Sequence, residues 1–199
     1  MGILPEHAAI PVEWRTQDLW LRVLRPDVTE LDFAALMESR ERLRLWSDST
    51  WPSDDFTLQE NERDLIEHER EWEDREAFAY TVLNSDGRRC EGCVYVTPFA
   101  SSMRHRGYDP IAQGTPFAED AAAVSFWVRD SALARDLDRQ LLAGLREWFQ
   151  TEWPLSQVIY RINDNQHHDR QLFEEAGLVH RASHGTSRSP LIWHLYTEP

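Results

Sequence analysis

Apolar and polar residues alternate through LWLRVLRP, which predicts a strand from Leu19 that Pro26 closes. Thr29 then opens TELDFAALMESRERLR, whose composition predicts a helix with the threonine as its cap. After a turn-rich piece, WSDSTWPSDDFT, the run LQENERDLIEHEREWEDRE predicts a second helix. In it Leu58, Leu65 and Trp72 recur every seven residues and make one apolar stripe. Two strand-like runs in AFAYTVLNSDGRRCEGCVYVTPF, joined at Asp86-Gly87, predict a hairpin. Ala100 to Glu119 has no period and predicts a long loop, either a lid or disordered. AAAVSFWVR predicts a buried strand. Leu137, Leu141, Leu142, Leu145, Trp148 and Phe149 then fall on one face of a helix that Pro154 stops. QVIYRIN predicts another strand, and Asn163-Asp164-Asn165 offers caps for a helix that ends at Gly177. LVHRAS and LIWHLYTE predict two closing strands around a polar turn.

The 199 residues suit one domain, 1–199, in which 1–18 form an N-terminal extension; no repeat or linker divides it. With 41% hydrophobic residues and nine tryptophans the chain can build a core, which excludes a disordered protein. Its longest apolar run, Ala121 to Val128 broken by Ser125, is too short to cross a bilayer, and MGILPEHAAIPVEW lacks a basic segment followed by an apolar one. The expectation is a soluble, cytoplasmic protein with no membrane partner. A net charge of −14 argues against nucleic acid and favours cationic partners such as amines. The carboxylates of the second helix read as a solvated face, with a minority reading in which some line the entrance for a cationic substrate.

Several residue types invite metal chemistry. Cys90 and Cys93 form a lone CxxC in a predicted strand. Residues three apart in a regular strand face opposite sides about 10 Å apart, beyond disulfide reach. Two buried small residues is therefore the preferred reading over redox or zinc chemistry. His167 and His168 are adjacent and cannot share a helix face, and His180 and His184 would suit a metal only on a helix. No metal is expected.

The order of elements resembles that of the GNAT superfamily of acyl-CoA-dependent N-acyltransferases. LRVLRP is similar to the family's opening strand, SFWVR followed by LDRQLLAGLREWF to its cofactor strand and helix, and NDNQHHDRQLFEEAGLVHRA to its strand-exit asparagine, short helix and terminal glycine. The resemblance runs from about Leu19 to Tyr196. It implies an α/β (α+β) fold: a mixed, mostly antiparallel sheet with flanking helices, in which the strands around Phe126 and Ile159 are parallel and splay apart.

The resemblance further implies acetyl-CoA as co-substrate, its pantetheine pairing with the backbone of Phe126, Trp127, Val128 and Arg129 and its diphosphate resting at the next helix start. The family's phosphate loop, Arg or Gln, two residues, Gly, one residue, Gly or Ala, falls on Leu133, Ala134, Arg135, Asp136, Leu137 and Asp138. Glycine lets such a loop approach phosphates and take conformations other residues avoid. Here Asp136 and Asp138 stand at the glycine positions. They read as caps of free N–H groups, while Arg129, Arg135 and Arg139 can supply guanidinium contacts to the phosphates. Asn163 or Asn165 corresponds to the asparagine that bonds the pantetheine amides. The family's glutamate base is Ala123 here and its tyrosine acid is Phe173. Substitutes are Asp120 as base, with Tyr95 or Ser125 as a hydroxyl that relays or donates a proton.

Two functions follow. The first is an N-acetyltransferase moving an acetyl group from acetyl-CoA to a primary amine, small or peptide and cationic, by direct attack in a ternary complex. The alternative is a non-catalytic acyl-CoA or small-ligand binding protein on the same scaffold. The sequence leaves a homodimer open.

Overall fold

In the computed structural model, which describes residues 3–5, 7–105, 107, 117–186 and 189–199, most elements begin and end where the hydrophobic pattern places them. Strands β1 (Glu13–Arg15) and β2 (Leu19–Val23) lead through one 3-10 turn, Pro26–Val28, into helices α1 (Thr29–Glu38), α2 (Arg40–Ser47) and α3 (Leu58–Glu73). Strands β3 (Phe78–Asn84) and β4 (Cys90–Pro98) follow, then α4 (Phe99–His105), β5 (Ala122–Val128), the short α5 (Asp130–Leu133) and α6 (Leu137–Thr151). β6 (Val158–Asn163), α7 (His167–Glu175), β7 (Val179–Thr186) and β8 (Ser189–Thr197) complete the order. Among the described residues no helix is long and apolar enough to cross a membrane.

The strand order is β1-β2-β3-β4-β5-β6-β8-β7. β5 and β6 are parallel, and the pairs β1–β2, β2–β3, β6–β8 and β7–β8 are antiparallel. The expected mixed sheet, mostly antiparallel with one parallel pair, is therefore present. The parallel ladder runs from Ala122↔Val158 to Val124↔Tyr160 and ends there, although β5 continues to Val128 and β6 to Asn163. The chain divides into two compact units, one of residues 9–95 and 126–153, the other of residues 1–8, 96–125 and 154–199.

In the larger unit Leu36, Leu43, Leu65, Leu83, Cys90, Cys93 and Trp127 form one buried cluster. A second is aromatic: fully buried Trp148 stacks on Trp14 at 6.2 Å and meets Tyr80 edge-on at 5.1 Å. Gly144 makes that packing fit, since a Cβ there would lie 2.3 Å from the Trp14 ring. So β1, within the segment read as an extension, lays its tryptophan on α6. Thr57 and Glu60 close a reciprocal capping box at the start of α3. Two local expectations differ. Thr29 does not cap α1 but donates to Pro26 O at 2.6 Å. The single helix expected from Thr29 breaks into α1 and α2 at Ser39, a fully buried residue whose Oγ accepts from Asp130 N at 3.0 Å. The apolar stripe of α3 is also partial: Leu65 is buried, but Leu58 is 42% exposed and the polar Asn61 is buried instead.

In the smaller unit Phe99, Met103, Ala121, Ala123, Ile159 and Leu195 form the core. Phe173 of α7 sits edge-on between Tyr160 at 5.7 Å and Tyr196 at 5.4 Å. α4 occupies the start of the long loop expected from Ala100 to Glu119. Residues 106 and 108–116 of that loop lie outside the described residues, as do residues 187 and 188 of the turn between β7 and β8. Asn163 does not cap α7. Its Oδ1 accepts from Asn165 N at 2.9 Å and folds the turn that precedes the helix. Gly177, at φ 78°, ends α7 as expected.

Candidate cofactor site

β5 is anchored through Trp127, which is buried and donates from Nε1 to Tyr95 Oη at 3.5 Å. Arg129 N donates to Glu91 O of β4 at 2.7 Å. Since bonding directions alternate along a strand, the carbonyls of Phe126 and Val128 point to the opposite edge, away from β4. Side chains of α2 engage both. Trp46 Nε1 donates to Phe126 O at 3.0 Å, and Arg42 donates from Nη2 to Val128 O and from Nε to Asp130 Oδ1 at 2.7 Å.

The end of α1 satisfies the first amides beyond the strand. Asp130 N donates to Ser39 Oγ at 3.0 Å and Ser131 N to Glu38 Oε1 at 3.1 Å. Arg129 turns its guanidinium onto Glu38 Oε2 at 2.5 Å and onto the carbonyls of Ala34 and Cys90 at 3.4 Å. Desolvation pushes the Glu38 carboxyl up, but the bonds from Ser131 and Arg129 outweigh it and hold the group at about 2, below its ordinary 4.5. A depressed carboxyl contributes stability above its unfolded value and loses it as pH falls through the folded one. Glu38→Gln is therefore expected to lower stability near neutrality and to flatten the loss between about pH 4.5 and 2, read from urea midpoints across a pH series.

Next comes the phosphate-loop segment. Arg135 N and Asp136 N each donate at 3.0 Å, to Ala132 O and Leu133 O. Asp136, the N-cap residue of α6, has φ 53° and ψ 32°, and its carboxylate caps no amide of the helix. The capping expected of it from sequence is therefore absent. Leu137 and Asp138 are buried in the first turn of α6, while Ala134 and Arg139 are exposed. Arg135 Nη2 pairs with Glu91 Oε2 at 2.8 Å; the Glu91 side chain is 2% exposed and that of Arg135 52%. A cleft of about 390 Å³ opens here, lined by Asp18, Leu19, Asn84, Ser85, Glu91, Arg135, Leu137 and Gln140.

No protein-family model matches the chain, and no curated protein matches its sequence. Solved structures match its shape. Ribosomal-protein-S5-alanine acetyltransferase from Vibrio fischeri has a TM-score of 0.69 at 13% identity, with 94% of this chain and 96% of that one covered. An acetyl transferase from Salmonella typhimurium that modifies the N-terminal serine of ribosomal protein L7/L12 gives 0.66 at 12%, covering 94% and 96%. MccE, the microcin C7 self-immunity acetyltransferase solved with acetyl-CoA and AMP, gives 0.68 at 6%, covering 92% and 93%. The fold is the GNAT acetyltransferase fold.

Set on the GNAT fold, the expected polar residues fall in both units. Ala123, at the glutamate position, is 2% exposed in the core of the smaller unit. Asp120 Oδ1 accepts from Ser156 Oγ at 2.8 Å, and Ser125 stands five residues on, about 16 Å along an extended chain, so the two do not meet. Tyr95, in the larger unit, is a partly buried phenol; desolvation first, then Cys93 and Asp32, push its ionisation well up, so it is a donor and not a base. Asn163 is fully buried with its Oδ1 committed to the turn, whereas Asn165 is exposed.

One polar array of this GNAT fold was not foreseen. Ser183 and His194 face each other across β7 and β8, Ser183 Oγ lying 2.8 Å from His194 Nδ1, while His194 Nε2 lies 2.7 Å from Asp164 Oδ1. The bond from His194, with that from Ile192 N, holds the Asp164 carboxyl below its usual range. An ionised Asp164 accepts from His194 Nε2–H. With a proton on Nε2 alone, the His194 ring accepts at Nδ1 from the Ser183 hydroxyl, whose oxygen lies 2.8 Å from His180 Nε2. Only strand register brings these residues together, so nothing in their spacing announced them.

Proposed function

We propose that the protein is an N-acetyltransferase that uses acetyl-CoA as co-substrate and acetylates a primary amine directly, without a covalent enzyme intermediate. The observation that carries this reading is the backbone of Asp136. It stands at a glycine position of the family's phosphate loop and adopts the left-handed conformation, φ 53°, that glycine takes without strain and aspartate tolerates better than most residues. With its carboxylate bonded to no helix amide, the start of α6 presents the positive end of the dipole to a diphosphate. Exposed Arg135 and Arg139 add charge, and the exposed Asn165 amide suits the pantetheine.

The acceptor's lone pair attacks the thioester carbonyl, the C–S bond breaks, and the coenzyme leaves as a thiolate that takes up a proton. Asp120 is the proposed acceptor of the amine proton, and Ser125 or Tyr95, acting apart from it, the proposed hydroxyl that donates to the thiolate. The solved structures sharing the fold include an acetyl transferase that modifies the N-terminal serine of ribosomal protein L7/L12, which supports a peptide amine as acceptor, and the net charge of −14 supports a cationic one.

The test is thiol release from acetyl-CoA across small amines and peptides with free N-termini, with acetyl-CoA binding followed by calorimetry. Release above the amine-free rate is expected with a cationic acceptor. Asp136→Gly should bind acetyl-CoA as well as wild type. Asp136→Val should bind it about tenfold more weakly, because a β-branched residue resists positive φ by about 1–2 kcal/mol. A wild-type protein that binds no acetyl-CoA would overturn the proposal.

A further inference from the structure

Cys90 and Cys93 were expected on opposite faces of β4, yet both thiols converge on one carboxylate. Cys93 Sγ lies 3.3 Å from Asp32 Oδ1 and Cys90 Sγ 3.9 Å from the same atom. The three ligand atoms lie within 4.8 Å of one another, and all three residues are buried. The alternation is broken at Gly92, whose φ is 157°. A side chain could not stand there, since a Cβ on Gly92 would lie 2.1 Å from Trp127 O. The local backbone thus holds two thiols on one side of the strand, under α1, which supplies the carboxylate.

These spacings match a metal cage. Zinc bound to sulfur at about 2.3 Å and to a carboxylate oxygen at about 2.0–2.2 Å, at tetrahedral angles, separates sulfur from oxygen by about 3.5–3.7 Å. The two observed separations, 3.3 and 3.9 Å, bracket that value. A small cavity adjoins the carboxylate. It has a volume of about 20 Å³ and is lined by Asn61, Asp64, His68 and Tyr95 among others. That is room for one water molecule. Asn61, 1% exposed, donates from Nδ2 to Asp32 Oδ2 at 3.0 Å and to Thr29 O at 3.2 Å, while its Oδ1 is buried with no donor. A metal-bound water would donate to that oxygen. His68 shares the cavity wall, with Nδ1 held 3.0 Å from Glu71 Oε2.

Among the described residues no cationic side chain is bonded to this carboxylate. Asp32 is bonded by Asn61 and the two thiols.

We propose that Cys90, Cys93 and Asp32 form a binding site for a thiophilic divalent cation, zinc above all, with a water molecule completing the tetrahedron toward Asn61. On binding, the two thiols lose their protons to solvent and form two metal–sulfur bonds, with no change of oxidation state. Thiolate ligands select zinc over magnesium or calcium. The site lies in the larger unit, and its occupancy adds to folding stability.

The full chain, reduced and stripped with a chelator, should be titrated with cobalt(II) and zinc. One equivalent of cobalt is expected to give thiolate-to-metal charge-transfer absorption, which zinc then abolishes. Zinc at a hundredfold excess over its dissociation constant should raise the thermal midpoint by about 5–10 °C, and a chelator should reverse the shift. Magnesium should do neither. Cys93→Ser and Asp32→Asn should each weaken cobalt binding by at least about tenfold. The wild-type titration needs no variant to fold, so absence of absorption together with an unmoved midpoint overturns the proposal. Undiminished cobalt binding in a Cys90→Ala/Cys93→Ala double variant overturns it equally.

Discussion

Gly92→Ala is expected to destabilise the protein by about 3 kcal/mol or more, the upper end for forcing extra volume into a packed interior. The new Cβ would lie 2.1 Å from Trp127 O and 2.9 Å from Val128 Cα. Both are backbone atoms, so no side chain can rotate to make room. β4 and β5 would have to separate, and the bond from Arg129 N to Glu91 O, 2.7 Å long, lies beside the clash. Gly177→Ala is the fitting contrast. Nothing stands within 4 Å of its Cβ position, so its cost comes only from φ 78°, about 1 kcal/mol. Urea unfolding of the two variants against wild type measures both. A Gly92→Ala cost no larger than that of Gly177→Ala would mean that the two strands are not held at this separation.

Arg42→Ala is expected to tighten acetyl-CoA binding about tenfold. Under the proposed function the pantetheine would pair with β5 along the edge away from β4, and on that edge Arg42 and Trp46 already hold the carbonyls of Val128 and Phe126. A hydrogen bond from a charged donor is worth about 1.5–3 kcal/mol, and displacing it costs the ligand part of that sum. Alanine removes the competitor and leaves Val128 O to the ligand. The variant also frees Asp130 from its partner at 2.7 Å, so a small loss of stability should accompany the gain. Calorimetric titration with acetyl-CoA reads the affinity and urea unfolding the stability. Unchanged or weaker binding would show that the coenzyme does not use this carbonyl.

How far the chain could be read depended on the range of the cause. The Asp86-Gly87 turn and the Gly177 stop act within four residues, and each is where the sequence placed it. The break at Ser39 was hidden because it depends on Asp130, distant in sequence. The cofactor segment was half legible. Its position after β5 was visible, but whether Asp136 would cap α6 or leave it uncapped depended on backbone conformation, and φ 53° decided for the second. Arg135 was read as a free phosphate ligand and is shared with buried Glu91. Alternation, applied to CEGC, put the two thiols on opposite faces; the rule holds for a regular strand, and Gly92 interrupts this one.

By itself the sequence determined most elements and their order, because periodicity and turn residues act on neighbouring positions and hydrophobic burial follows from them; the class of sheet was what the family resemblance of that order implied. The tertiary structure alone decided which polar groups meet. Ser183 reaches His194 and Asp164 through strand register, Cys90 and Cys93 reach Asp32 through a glycine that lets two backbones close, and α2 reaches the carbonyls of β5 through packing. Register, close approach and packing are set by the whole core at once, so no local stretch of the chain encodes them.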